Sequence, residues 1–61
     1  MNYQQRYEIA KKTKQGDKWK RRKDGIVVEV VNVEYRIRLL YPSGKTGIIS
    51  DYGLASTYEP C

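Results

Sequence analysis

From residue 33 to residue 41 the chain alternates strictly. Val33, Tyr35, Ile37, Leu39 and Tyr41 fall on one side, and Glu34, Arg36, Arg38 and Leu40 on the other. A period of two predicts a β-strand with one buried and one mostly wet face. Just before it, residues 26–31 (IVVEVV) are apolar for nearly their whole length and predict a second strand, buried for much of it, with Asn32 as a break between the two. Residues 18–22 predict a shorter first strand with Trp19 facing inward or standing exposed. Lys23-Asp24-Gly25 joins it to the next, since Asp-Gly between strand-like runs is a strong hairpin signal. Further on, Pro42-Ser43-Gly44 reads as a turn and residues 45–50 as a strand with Ile48 or Ile49 inward. Asp51-Tyr52-Gly53-Leu54 reads as one 3₁₀ turn before a last strand over residues 56–59.

The first fifteen residues carry a different pattern. Tyr3, Tyr7 and Ala10 lie on one helical face, Asn2 and Gln5 have capping-box spacing, and Gly16 supplies a stop. Glu8 and Lys12 are spaced to form an i,i+4 pair. A helix over residues 1–15 is therefore expected, anchored only by Tyr3 and Tyr7, with residues 16–61 folding without it. The expected core is Ile26, Val28, Val30, Tyr35, Ile37, Leu39 and Leu54.

Composition changes the picture by exclusion. Sixty-one residues make one domain with a small core, since at this size roughly 60% of the unfolded surface is buried on folding. The one cysteine, Cys61, can form no internal disulfide, and there is no histidine. A cysteine alone offers no zinc set, and the commonest general base is missing. "PSGKTG" lacks the upstream glycine of a phosphate loop and explains itself as a turn. The expectation is a binding protein rather than an enzyme, with no cofactor. Neither a bilayer-length apolar run nor a leader-like segment is present, which leads to an expected cytoplasmic location.

Charge adds the one strong asymmetry. Residues 11–23 hold Lys11, Lys12, Lys14, Lys18, Lys20, Arg21, Arg22 and Lys23 against Asp17 alone, within a chain of net charge +5. Such a local field attracts polyanions. Trp19 and several tyrosines accompany it, and cations interleaved with rings suit nucleic acid, where phosphates are held and bases stacked. Arg36 and Arg38 share the wet face of the alternating strand. They either extend this surface or belong to an ordinary solvated one. The ten basic residues are the candidate site, and a solvated charge run is the competing reading. Tyr41, Tyr52 and Tyr58 are expected near one end of the fold, half buried.

Five short strands with a helical turn before the last describe a mostly β fold, a small five-stranded SH3-like barrel preceded by an α-helix. Residues 16–60, beginning "GDKWKRRKDGIVVEV", resemble SH3-like modules of the KOW and Tudor type, in which a basic first strand leads through a turn glycine, here Gly25, into a "GxVVEV"-like strand. Size and charge also resemble small accessory proteins encoded by phages and other mobile elements. Two functions follow as expectations. One is binding of nucleic acid, double-stranded DNA first, through backbone phosphates. The other is a protein-interaction module that modulates a host enzyme or nucleoprotein complex. An aromatic cage for a methylated cation, which Tudor-like domains carry, suits a positive surface poorly.

Overall fold

A computed structural model describes residues 1–61 as seven elements. They are α1 (Tyr3–Ala10), β1 (Lys18–Arg21), β2 (Val27–Val33), β3 (Ile37–Leu40), β4 (Thr46–Ile49), α2 (Asp51–Thr57) and β5 (Tyr58–Pro60). The strands form one antiparallel sheet in the order β4-β3-β2-β1-β5. The first four make a meander, and α2 carries the chain back so that β5 pairs with β1. The sheet is open: β4 and β5 are its edges and do not pair with each other.

Register explains the core. Trp19 lies opposite Val28, Val30 opposite Leu39, and Ile37 opposite Ile49, so one face of the sheet is apolar. Helices α1 and α2 pack against each other and against β5, contributing Ala10, Leu54 and Ala55 to the same cluster, which Tyr58 completes. Trp19 is 1% exposed and belongs to the core. Five of the seven expected core residues behave as read: Val28, Val30, Ile37, Leu39 and Leu54 are buried, while Ile26 is half-buried.

Tyr35 is the clear correction. The alternating run is not one strand: β2 continues through Asn32 to Val33, the chain turns at Glu34-Tyr35-Arg36, and β3 begins at Ile37. The pairs Asn32–Arg38 and Val33–Ile37 close the hairpin. Tyr35 therefore sits in the turn, 94% exposed. The turn contains no glycine, proline or asparagine to announce it. Asn32 marks a register shift between Val30 and Asn32, a bulge rather than a break.

Both helices also differ from expectation. The Asn2–Gln5 capping box forms, with both bonds at 2.9 Å, yet α1 ends at Ala10. The Thr13 hydroxyl donates to Asp17 (2.9 Å) and accepts from the Trp19 indole N–H (3.1 Å), while the Lys14 N–H donates to Asp17 (3.0 Å). These local bonds compete with a continuing helix. The helix is also not held by Tyr3 and Tyr7 alone. Tyr7 packs against the core and Tyr3 is exposed. Its buried residues are Ala10 and Arg6, whose Nε donates to the Ala55 carbonyl at 2.7 Å. Segment 1–15 thus contributes Ala10 to the core, and buried Arg6 and Thr13 beside it. At the other end of the chain, Ser50 caps α2 by accepting from the Gly53 N–H. With Leu54 and Ala55 buried, the expected single turn becomes a seven-residue helix reaching Thr57.

Candidate functional site

Antiparallel pairing gives the sheet two ends. One end, the turn end, carries the β1–β2 and β3–β4 turns; the other carries the β2–β3 loop, the segment entering β1 and the start of α2. The ten candidate cations are divided among these ends and the outer face. Arg22 and Lys23 lie in the β1–β2 turn, and Lys45, which sequence reasoning left out, sits in the other turn at the same end. Lys18 and Lys20 are exposed on the outer face of β1, opposite Glu29 and Glu59, and Arg38 is exposed on β3. Lys11, Lys12, Lys14 and Arg36 lie toward the loop end. The run is contiguous in sequence, and the fold spreads it over three regions.

Three of the ten do local work. Arg21 is half-buried and makes a two-pronged ion pair with Asp24, at 2.8 and 3.0 Å, with its guanidinium 5.9 Å from the Tyr41 ring centre. Asp24 also accepts from the Ile26 N–H, so the pair ties the β1–β2 turn, where Gly25 takes a φ of +79° that L side chains rarely adopt. The hydrogen bond from Arg21 holds the Asp24 carboxyl below its ordinary value, and Asp24 raises the guanidinium in return. Arg22 donates to the Ser56 carbonyl at 3.0 Å. Lys11 pairs with Glu8 at 3.5 Å, in place of the expected Glu8–Lys12 pair, and lies over the Tyr7 ring.

The remaining seven, Lys12, Lys14, Lys18, Lys20, Lys23, Arg36 and Arg38, are exposed and reach neither a carboxylate nor a side-chain hydrogen-bond partner. Solvation is their only structural need, so they are free to meet an anion.

The tyrosines separate by end. Tyr41 and Tyr58 share a hydroxyl–hydroxyl bond of 2.8 Å at the turn end. Burial first, and then that bond, pushes the Tyr58 phenol from 10.0 up to about 12. Tyr52 does not join them. It is 62% exposed at the start of α2 and lines a groove of about 610 Å³ at the loop end, together with Tyr35, Val33, Ile48, Lys11 and Arg36. Ile48, 55% exposed, is the outward member of the β4 pair, and half-buried Ile49 the inward one. No sequence signal marked this groove, because Tyr35 was counted with the core.

No group of histidine, cysteine and carboxylate side chains is placed to hold a metal ion, and no helix is long and apolar enough to cross a membrane. Comparison with known proteins finds no matching family model, no matching curated protein and no matching solved structure.

Proposed function

We propose that this chain is a small basic binding module of the SH3-like kind that holds nucleic acid through its backbone phosphates. The observation that carries the reading is the set of seven exposed, unpartnered cations on one small domain. Phosphate contacts need such groups and little else, and they position a protein without reading base sequence. Support for the SH3-like part comes from strand order. Five short strands with a helix before the last are present, β1 to β4 form a meander and β5 returns to β1, while the edges β4 and β5 stay apart and the sheet is open rather than a closed barrel.

Duplex DNA is the first ligand to test, with affinity measured across a salt series. Four to six phosphate contacts give a slope of log K against log salt of about −4 to −5. Arg21 and Arg22 are poor residues to remove, since both hold turns and loops in place. Lys18→Gln with Lys20→Gln removes two free cations from an exposed strand face and should make the slope shallower by about two units while the fold is kept. Undetectable binding to nucleic acid at low salt would sink the proposal. A tight protein partner with weak salt dependence would put the protein-interaction reading in its place.

A further inference from the structure

We infer that the groove at the loop end takes unpaired nucleobases, so that the ligand presents a single-stranded segment there. The inference rests on the nucleic-acid reading above and goes further by naming the strand state. Its starting point is Tyr35. A tyrosine ring 94% exposed in a hairpin turn buries almost none of its surface in the folded chain. Tyr52, on a different element, lines the same groove and is also mostly exposed. Two rings from separate elements thus offer free faces to one concave space, whose size falls in the range of about 300–1,000 Å³ that suits small-molecule-sized groups.

The groove's charge selects among ligands with flat apolar faces. Lys11 and Arg36 line it, and Arg36 and Arg38 line the adjoining hollow on the outer face. Lys14 stands beside a further hollow that shares Val33 with the groove. The carboxylate within the groove, Asp51, has its Oδ1 engaged by the Tyr52 N–H at 2.7 Å. Glu34 faces the two adjoining hollows. Lys11 is paired with Glu8 at 3.5 Å, yet Lys11, Lys14, Arg36 and Arg38 still outnumber Glu8, Glu34 and Asp51, and phosphates can follow the rim while bases enter. In a duplex the base faces are stacked on one another and unavailable to a tyrosine; in a single strand they are open, and stacking on rings is sequence-tolerant. Exposed rings beside the unpaired Arg36 and Arg38 therefore fit a single strand better than a duplex.

The test compares an oligothymidylate of about ten nucleotides with a duplex of about ten base pairs, by fluorescence anisotropy at one low salt concentration. The single strand should bind more tightly. Tyr35→Ala should weaken single-strand binding by about five- to a hundredfold, Tyr52→Ala should act in the same direction, and Tyr35→Phe should keep most of the affinity because the ring is retained. Duplex binding and the salt slope should stay as in the parent. Both rings are exposed, so the variants fold, which a thermal melt checks. Equal or tighter binding of the duplex overturns the inference, as does a single-strand preference that survives both alanine variants. In either case the phosphate-binding reading stands. Failure of both polymers to bind overturns the two together.

Discussion

Thr13→Val is the sharpest test of how the fold is held. Valine matches threonine in shape, so the substitution removes a hydroxyl and little else. Thr13 is 6% exposed, and its hydroxyl lies between the Trp19 indole and the Asp17 carboxylate. Removing it leaves the indole N–H of a fully buried ring without an acceptor, a cost of about 1–3 kcal/mol. It also removes a donor to a carboxylate, which costs about 1 kcal/mol here, at the low end, because Asp17 is half-buried and keeps the Lys14 N–H. The sum is about 2–4 kcal/mol. A 61-residue domain has about 3–9 kcal/mol in total, so the variant should be strongly destabilised.

Urea denaturation followed by the fluorescence of the chain's single tryptophan reads this directly. The midpoint should fall in Thr13→Val with the slope unchanged. Thr13→Ser keeps the hydroxyl and loses only a methyl group, so its loss should be about 1 kcal/mol. A Thr13→Val protein within about 0.5 kcal/mol of the parent, or a Ser variant as damaged as the Val one, would refute the reasoning. The segment entering β1 would then be held by backbone contacts such as Gly16 N–H to Val30 and Val30 N–H to Asp17, both 2.8 Å.

The other predictions follow from the same core. Arg6→Ala should cost about 2–3 kcal/mol in urea denaturation, because a charged donor to the buried Ala55 carbonyl is lost; parent-like stability would show that α1 docks through Ala10 and Tyr7 alone. Ile37→Ala should cost about 2–5 kcal/mol and strongly destabilise the domain, and an unshifted melt would contradict the register that buries it. The raised Tyr58 phenol means that the fold favours the neutral form. Its contribution is complete below pH 10.0 and is lost as pH rises through about 12. Ultraviolet titration should show a tyrosinate step near pH 12 that is absent from Tyr58→Phe, with stability falling between those two values; a parent lacking that late step would count against the burial of Tyr58 and its bond to Tyr41.

The legible parts of this fold were those in which one local pattern acts alone. The apolar run from Ile26 and the residues Ile37 and Leu39 announced their strands, and Asp24-Gly25 announced a turn, because pleat and left-handed backbone each impose a residue type. Tyr35 was misread because alternation continues through the turn: Val33 and Ile37 face each other across the hairpin and keep the period on either side of it. Arg6 was invisible as a buried residue, since its partner is a backbone carbonyl forty-nine residues away. The extent of α2 was hidden for a related reason. Ser56 and Thr57 have no strong helical preference, and the helix continues because Leu54 and Ala55 are buried against α1 and the sheet. The candidate cations were legible as residues and not as a surface, because their distribution over two ends and one face depends on register.

That distribution has a physical origin in the length of the chain. A core this small cannot spare a segment, so residues 11–23 serve both interior and solvent. Thr13 and Trp19 are buried, Asp17 and Arg21 half-buried, and Lys12, Lys14, Lys18 and Lys20 alternate with them outward. In β1 the alternation is the pleat itself, which sends Trp19 to the core and Lys18 and Lys20 to the opposite face. Before β1 it comes from the Thr13–Asp17–Trp19 bonds, which turn Thr13 inward and leave its lysine neighbours in water. Structural and charged side chains are therefore interleaved in sequence and separated in space. Outward lysines can be exchanged without touching the core, whereas changes that remove the Thr13 hydroxyl, the Asp17 carboxylate or the Trp19 indole break the bonds at the entry to the strand that displays the charge. A concentrated basic run in so short a chain is compatible with stability for this reason: like charges leave by different faces, and the repulsion that thirteen contiguous residues would otherwise concentrate is spread across the molecule.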